Sequence, residues 1–141
     1  MILNRSWIWI GIVLAVCGVS WGSEPCFTYS NSLVSLPGIM VKDTFAGPPN
    51  FESVAQGDEP EIHWVLVLSK PICVLPTASD TENVAEYSIS RMQLNRIDYD
   101  QYRPLLGKPV LVTGMFAHAF TAFHFTDVMI EVTAIKENRL R

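Results

Sequence analysis

The fold is decided by residues 109–135, which read PVLVTGMFAHAFTAFHFTDVMIEVTAI. Two segments of this stretch, residues 109–120 and 124–135, alternate apolar with polar or small side chains and are rich in β-branched and aromatic residues. A period of two is typical of β-strands that place one face on a core. We predict two paired strands here, joined by a tight loop centred on Thr121.

Three more strands are predicted nearer the amino terminus, at residues 33–45, 63–69 and 86–94. The third of them could also be helical. In the first, the apolar positions change phase after Pro37-Gly38, which predicts a β-bulge that bends the strand. Asp98 and Gly107 bracket a short helix, and Asp98 is placed to cap its amino terminus.

The predicted order is therefore strand, strand, strand, short helix, strand, strand. This order is typical of the five-stranded Greek-key barrel known as the OB fold. We predict an all-β, mainly antiparallel, small OB-like barrel with one short helix between its third and fourth strands.

The first 22 residues have the pattern of a secretory signal peptide. Arg5 precedes an uncharged apolar run over residues 7–21, which is shorter than the ~20 residues that span a membrane. Small residues place cleavage after Gly22. A lipoprotein anchored through Cys17 and an uncleaved anchor stay open as alternatives. We predict a signal peptide over residues 1–22 and a single β-barrel domain over residues 23–141, periplasmic or secreted.

The chain after the signal peptide is acidic. Without Arg5 it holds nine basic and 14 acidic residues, a formal charge of −5. A nucleic-acid binder needs a basic surface that neutralises phosphates, and the basic residues here are scattered. We therefore predict no nucleic-acid partner and no stable membrane insertion once the signal peptide is cleaved.

Two cysteines remain after cleavage, Cys26 and Cys73. In an oxidising compartment an even pair most simply forms a disulfide. We predict this disulfide, which would tie the amino-terminal segment to residues 71–73. A redox or metal-binding thiol pair is the alternative, although the spacing is not that of a CxxC motif.

His118 and His124 share the strand parity of the inward-facing residues, so both imidazoles are expected near one end of the barrel interior. A buried imidazole needs partners for both ring nitrogens, and Thr121 and Thr126 are the nearest hydroxyls in sequence. The favoured interpretation is a structural latch without a cofactor. The alternatives are a zinc or copper site, with His63 as a further ligand, and a small-ligand pocket or pH-sensitive interface.

Residues 46–62 form a long, turn-rich loop that reads AGPPNFESVAQGDEPEI. A loop of this length on a rigid barrel is a common position for binding residues. Phe51, in the middle of the polar loop, is the candidate contact residue. The acids at positions 58, 59 and 61 lack the ligand spacing of a calcium loop, so a solvated acidic loop is expected.

A resemblance to an uncharacterised family of small exported bacterial domains is carried by three segments: GMFAHAFTAFHFTDV (114–128), FAGPPNFES (45–53) and KPICV (70–74). It covers about residues 33–135. It carries over six positions, which are Gly114, His118, Ala119, Thr121, His124 and Thr126. Family histidines are replaced by phenylalanines at positions 120, 123 and 125, which would weaken a metal site. The resemblance implies fold and compartment but no activity.

These observations predict an exported, non-enzymatic binding module of the bacterial envelope that takes a protein partner, with an inhibitor or immunity-type protein as one version. No GxSxG elbow is present, and no catalytic residue is predicted. The alternative is a periplasmic metal-binding protein that uses His118 and His124. The predicted working surface combines the loop 47–53 with the hairpin end, and its residues are Gly47, Pro48, Pro49, Asn50, Phe51, His118, Thr121, His124 and Thr126.

Overall fold

The computed structural model describes residues 23–139. The predicted signal peptide and Cys17 lie outside this range. The six strands are β1 (Cys26–Thr28), β2 (Val34–Ala46), β3 (Pro60–Leu75), β4 (Glu86–Asn95), β5 (Pro109–His118) and β6 (Val128–Glu137). One short α-helix, α1 (Tyr99–Tyr102), continues into a 3₁₀ turn at Arg103–Leu105, and a second 3₁₀ turn covers Val54–Gln56.

Strands β2 to β6 close into a five-stranded barrel. The neighbours run β3-β2-β5-β6-β4, and β4 pairs back onto β3. All pairs are antiparallel except β4–β6, which is parallel. In chain order, the first barrel strand lies between the second and fourth, and the third lies beside the fifth. This is the arrangement of an OB-type Greek key with a helix after its third strand, so the predicted fold is confirmed.

The barrel interior is apolar and tightly filled. Strands β2 to β6 all contribute fully buried side chains, among them Met40, Leu66, Met92, Val112 and Ile130. These residues follow the period-two pattern that the strands showed in the sequence. Burial of one face of every strand is what fixes the pairing registers.

The predicted β-bulge at Pro37-Gly38 is wrong. Strand β2 runs through this point without a register shift against either neighbour. Met40 is fully buried, whereas Ile39 is 45% exposed, so the inward parity does not change. Gly38 instead pairs with both β3 and β5, and a Cβ there would lie 2.5 Å from the Val67 carbonyl oxygen. The glycine permits the close approach of three strands.

Strand β1 was not predicted, because three residues carry no readable period. It runs parallel to the end of β3, with Cys26 opposite Cys73, and the predicted disulfide joins this pair. The Cα atoms lie 4.5 Å apart. The disulfide is compatible with an oxidising, exported location. The adjoining Phe27 packs edge-on against Phe116, with ring centroids 5.6 Å apart.

The predicted helix near Asp98 is confirmed in a shorter form. The Asp98 carboxylate accepts hydrogen bonds from the backbone N–H groups of Asp100 and Gln101, as an amino-terminal cap does. The Tyr99 ring packs against Trp64 in β3, with centroids 5.0 Å apart. Within residues 23–139 there is no helix long and apolar enough to span a membrane.

The predicted tight hairpin at Thr121 is wrong. Strand β5 ends at His118, which pairs with Val128, and β6 begins only there. Residues 119–127 form a longer loop. His118 therefore does not face His124 across the hairpin. The physical reason is that residues 123–126 form hydrogen bonds with β4 instead of extending β6, as described below.

Candidate functional site

Two loops meet at one end of the barrel: the β2–β3 loop, residues 47–59, and the β5–β6 loop, residues 119–127. Rings from the two loops contact each other and the side chains of Phe45 in β2 and His63 in β3. The group formed by Phe45, Phe51, His63, Phe123 and Phe125 is called the aromatic face below. It brings together the predicted GPPN loop and part of the predicted hairpin end.

A buried carboxylate shapes the β2–β3 loop. Asp58 is only 5% exposed and accepts hydrogen bonds from the backbone N–H groups of Asn50, Glu52 and Ser53 at 2.8 to 2.9 Å. It also accepts one from the Asn50 side chain. These bonds, that from Ser53 first, lower its pKa from 3.8 to about 2. The expectation of a solvated acidic loop is therefore wrong for Asp58, although Glu59 is exposed.

The GPPN residues are held by this loop framework. Gly47 is buried, and a Cβ there would lie 2.5 Å from the Glu61 Cγ atom. Its N–H donates to the Glu59 carbonyl, and its carbonyl accepts from the Phe51 N–H. The Pro48–Pro49 peptide bond is cis. Phe51 has a φ of 61°, a conformation that bulky residues rarely adopt.

A buried amide fixes the β5–β6 loop. Gln93, in β4, is 3% exposed and points away from the core residues Met92 and Leu94. Its side-chain oxygen accepts from the Phe125 N–H at 2.8 Å, and its side-chain nitrogen lies 3.2 Å from the Phe123 carbonyl. Sequence reasoning missed Gln93. The available signal was a single amide between two apolar residues in a predicted strand.

Thr126 completes the attachment of this loop to the barrel. Its hydroxyl accepts from the Gln93 backbone N–H at 2.9 Å and donates to the Val128 carbonyl at 2.8 Å. Thr121, in contrast, is exposed, and its carbonyl accepts from the His124 N–H. The two predicted threonines therefore organise the loop and its backbone. Neither is among the hydrogen-bond partners that the structure gives the imidazole rings.

Aromatic contacts join the two loops. Phe51 and Phe123 meet edge-on with ring centroids 5.2 Å apart. Phe125 stacks on Phe45 at 4.8 Å and lies 4.9 Å from the His63 ring. Phe123 remains 47% exposed, and the neighbouring Phe120 is 81% exposed. Exposed large apolar side chains that cluster in this way mark contact surfaces.

His63 is held in one tautomer by Gln93. The Phe125 N–H can only donate, so the atom that it meets on Gln93 is the oxygen, and the amide nitrogen must be the donor to His63 Nδ1 at 3.2 Å. The proton of the neutral ring is then on Nε2. Burial lowers the pKa of His63, and the nearby Glu61 carboxylate partly offsets this effect.

His118 lies in a different environment from the one predicted. Its Nδ1 is 2.9 Å from the Ala119 carbonyl and its Nε2 is 3.1 Å from a Glu86 carboxylate oxygen. Both ring nitrogens thus face oxygen atoms that accept hydrogen bonds. The ring lies 6.0 Å from that of the buried Tyr29. His118 keeps the parity of the buried residues of β5, but it is only half-buried, and its partners are a carboxylate and a backbone carbonyl.

The three histidines do not converge. His63 and His124 line one cavity at the end of β4, and His118 is not among the residues around it. Among residues 23–139, no group of three or more His, Cys, Asp or Glu side chains is placed to hold a metal ion. Among the same residues, the hydrogen-bond partners of the imidazole rings are amide N–H groups, a backbone carbonyl and a carboxylate.

Fold and site together define a small closed β-barrel that gathers aromatic side chains at one end. Residues 91–136 match a domain of unknown function, DUF4431. The matched segment runs from β4 into β6, so it contains Gln93 and the whole β5–β6 loop but not the GPPN loop. The match supports a relation to an uncharacterised family. No curated protein matches the chain.

The low pKa of Asp58 gives a pH-dependent expectation. Because its folded pKa is below the unfolded value of 3.8, its contribution to stability is complete above about pH 4 and is lost as pH falls towards 2. We expect Asp58→Asn to be less stable than wild type at pH 6. The difference should shrink between pH 4 and pH 2 in urea unfolding curves.

Glu59→Gln is the matched control for this experiment, because Glu59 lies on the same loop with an exposed side chain. It should follow the wild-type curve at every pH. A difference between Asp58→Asn and wild type that stays constant from pH 6 to pH 2 would contradict the role given to the Asp58 carboxylate.

Proposed function

We propose that this protein is exported and works outside the cytoplasm as a non-enzymatic binding module that presents the aromatic face to a protein partner. The observation that carries the proposal is the contact between Phe51 and Phe123, which unites two separate loops into one surface. The signal-peptide pattern and the disulfide support export.

The position of the aromatic face on the barrel also supports a binding role. In OB-type barrels, ligands bind on the second and third strands, between the loop that joins strands one and two and the loop that joins strands four and five. Here those elements are β3, β4 and the two loops of the aromatic face. The fold indicates where a ligand binds, and the side chains of the aromatic face determine which ligand it is.

The chemistry of the face favours a protein over a nucleic acid. Residues 23–141, with a formal charge of −5, repel phosphates, whereas exposed phenylalanines gain by burial against an apolar partner. Aromatic side chains in central positions commonly dominate such interfaces. An inhibitor or immunity-type protein is one form that this proposal takes.

Affinity capture from an envelope extract tests the proposal. Phe123→Ser removes an exposed ring from the face, and Leu33→Ser is the matched control because Leu33 is 59% exposed and lies before β2. We expect wild type and Leu33→Ser to retain the same partner in equal amounts and Phe123→Ser to lose at least about 90% of it. Equal capture by all three proteins would refute the role of the face.

Zinc or copper binding is the alternative; His63 and His124 line one cavity, but among residues 23–139 no group of three or more His, Cys, Asp or Glu side chains is placed to hold a metal ion. Two imidazoles are fewer than the three or four protein ligands of ordinary sites. Elemental analysis of protein purified without an affinity tag tests this candidate. One metal ion per chain, lost in His124→Ala, would establish it in place of the partner-binding proposal.

A further inference from the structure

A cavity of about 320 Å³ opens where β4 ends, beside the aromatic face. It is called the Arg96 cavity below. Its walls include His63, Asn95, Arg96, Phe123 and His124, and none of its lining residues is acidic. Its volume is at the lower end of the range of small-ligand pockets. The lining of this cavity thus contains one cationic side chain and no carboxylate, although the chain as a whole is acidic.

The two imidazoles at this cavity are both hydrogen-bond donors. Gln93 donates to His63 Nδ1, so the neutral His63 ring has its proton on Nε2. The Phe120 N–H donates to His124 Nδ1 at 3.1 Å, so His124 likewise has its proton on Nε2. The protein backbone and one buried amide thus set both tautomers.

The donor on His63 is unsatisfied. Among residues 23–139, its buried Nε2 atom has no hydrogen-bond partner. The Glu61 carboxylate lies 3.8 Å away, which is too long for a hydrogen bond. A buried N–H without an acceptor is uncommon in folded proteins, and the nearest acceptor to this one is the Glu61 carboxylate of the same chain.

Arg96 supplies positive charge to the same cavity. Its side chain is 73% exposed, and its guanidinium forms a salt bridge with the Glu131 carboxylate at 3.6 Å. The Arg96 backbone has a φ of 56°, which non-glycine residues rarely adopt. Such conformations persist where the surrounding structure requires them, and they cluster at ligand sites.

We propose that the Arg96 cavity binds an organic carboxylate attached to an aromatic or large apolar group, as at the carboxyl terminus of a protein partner. The carboxylate accepts hydrogen bonds from Arg96 and the His124 Nε2–H group, and the apolar group packs on Phe123. With a single guanidinium in an acidic chain, a singly charged carboxylate fits better than a phosphate dianion. This inference rests on the proposed function, since it names the ligand chemistry of that face.

Chemical-shift titration of the disulfide-bonded protein tests the inference with two probes. N-acetyl-L-phenylalanine carries the ring and the carboxylate, and N-acetyl-L-phenylalaninamide carries the same ring without the charge. We expect the acid to bind at least ~10-fold more tightly than the amide and to shift the resonances of Asn95, Arg96 and His124. A pentapeptide that ends in phenylalanine should bind more tightly than N-acetyl-L-phenylalanine if the natural ligand is a partner's carboxyl terminus. The two should bind with equal affinity if the natural ligand is a free acid.

Arg96→Gln should weaken binding of the acid about 10-fold and leave the amide unchanged. Arg103→Gln is the matched control, since Arg103 is an exposed arginine paired with Asp100 outside the cavity. Equal affinity for the acid and the amide would overturn the inference. If both probes also shift the resonances of Phe123, the proposed function of the aromatic face is still supported. If neither probe shifts any resonance, the inference is also wrong. The proposed function is tested separately by the affinity-capture experiment.

Discussion

Gln93→Met lowers the free energy of unfolding by about 3 kcal/mol if Gln93 holds the β5–β6 loop on the barrel. Methionine has a similar volume but accepts and donates no comparable hydrogen bond. The Phe125 N–H and the His63 Nδ1 atom would lose their partners in a site that is 3% exposed. Urea unfolding followed by tryptophan fluorescence measures this change.

Gln101→Met is the matched control, because Gln101 is exposed at α1. Its unfolding curve should coincide with that of wild type. Hydrogen exchange adds a local readout: the Phe125 amide should lose protection in Gln93→Met, while amides in β2 keep it. A variant with wild-type stability and a protected Phe125 amide would show that the loop is held by other contacts.

Removal of the disulfide should have a similarly large effect. The bond between Cys26 and Cys73 closes a loop with a sequence separation of 47 residues, for which chain entropy gives about 4 kcal/mol. The double variant Cys26→Ser, Cys73→Ser should lose about this much unfolding free energy. Strand β1 should then detach and expose Phe27 and Tyr29 to solvent.

The disulfide variant also separates stability from binding. Strand β1 pairs with residues 73–75 at the end of β3, whereas His63 of the aromatic face lies near its start. Under conditions where the double variant is still folded, partner binding should therefore be unchanged. Adding reductant should lower the melting temperature of wild type and leave that of the double variant unchanged. Insensitivity of wild type to reductant would contradict the stabilising role of the bond.

The sequence predicts the barrel well because its signals are local. Alternating side chains over residues 109–118 and 128–135 indicate strands, and the two cysteines after the signal peptide indicate their own pairing. The aspartate cap at Asp98 is likewise a signal within one turn of chain. Each of these features depends on residues that are close in sequence or few in number.

The site was predicted less completely because its organisation is non-local. Gln93 is buried under the β5–β6 loop, and Asp58 is buried by the backbone of its own loop, and periodicity shows neither contact. His124 continues the parity of β6 in the sequence, but the hydrogen bonds that join Phe123, Phe125 and Thr126 to Gln93 end the strand first. Such competition between a strand ladder and side-chain bonds cannot be read from periodicity.

The joint use of the two loops can be measured by site-specific photo-crosslinking in living cells. A photoreactive phenylalanine analogue placed at position 51, at position 123, or at the control position 33 reports which surface touches the partner. A single cross-linked product of the same mass from positions 51 and 123, and no product from position 33, is the expected result. Cross-linking from position 33 alone, or different partners from positions 51 and 123, would contradict a shared binding surface.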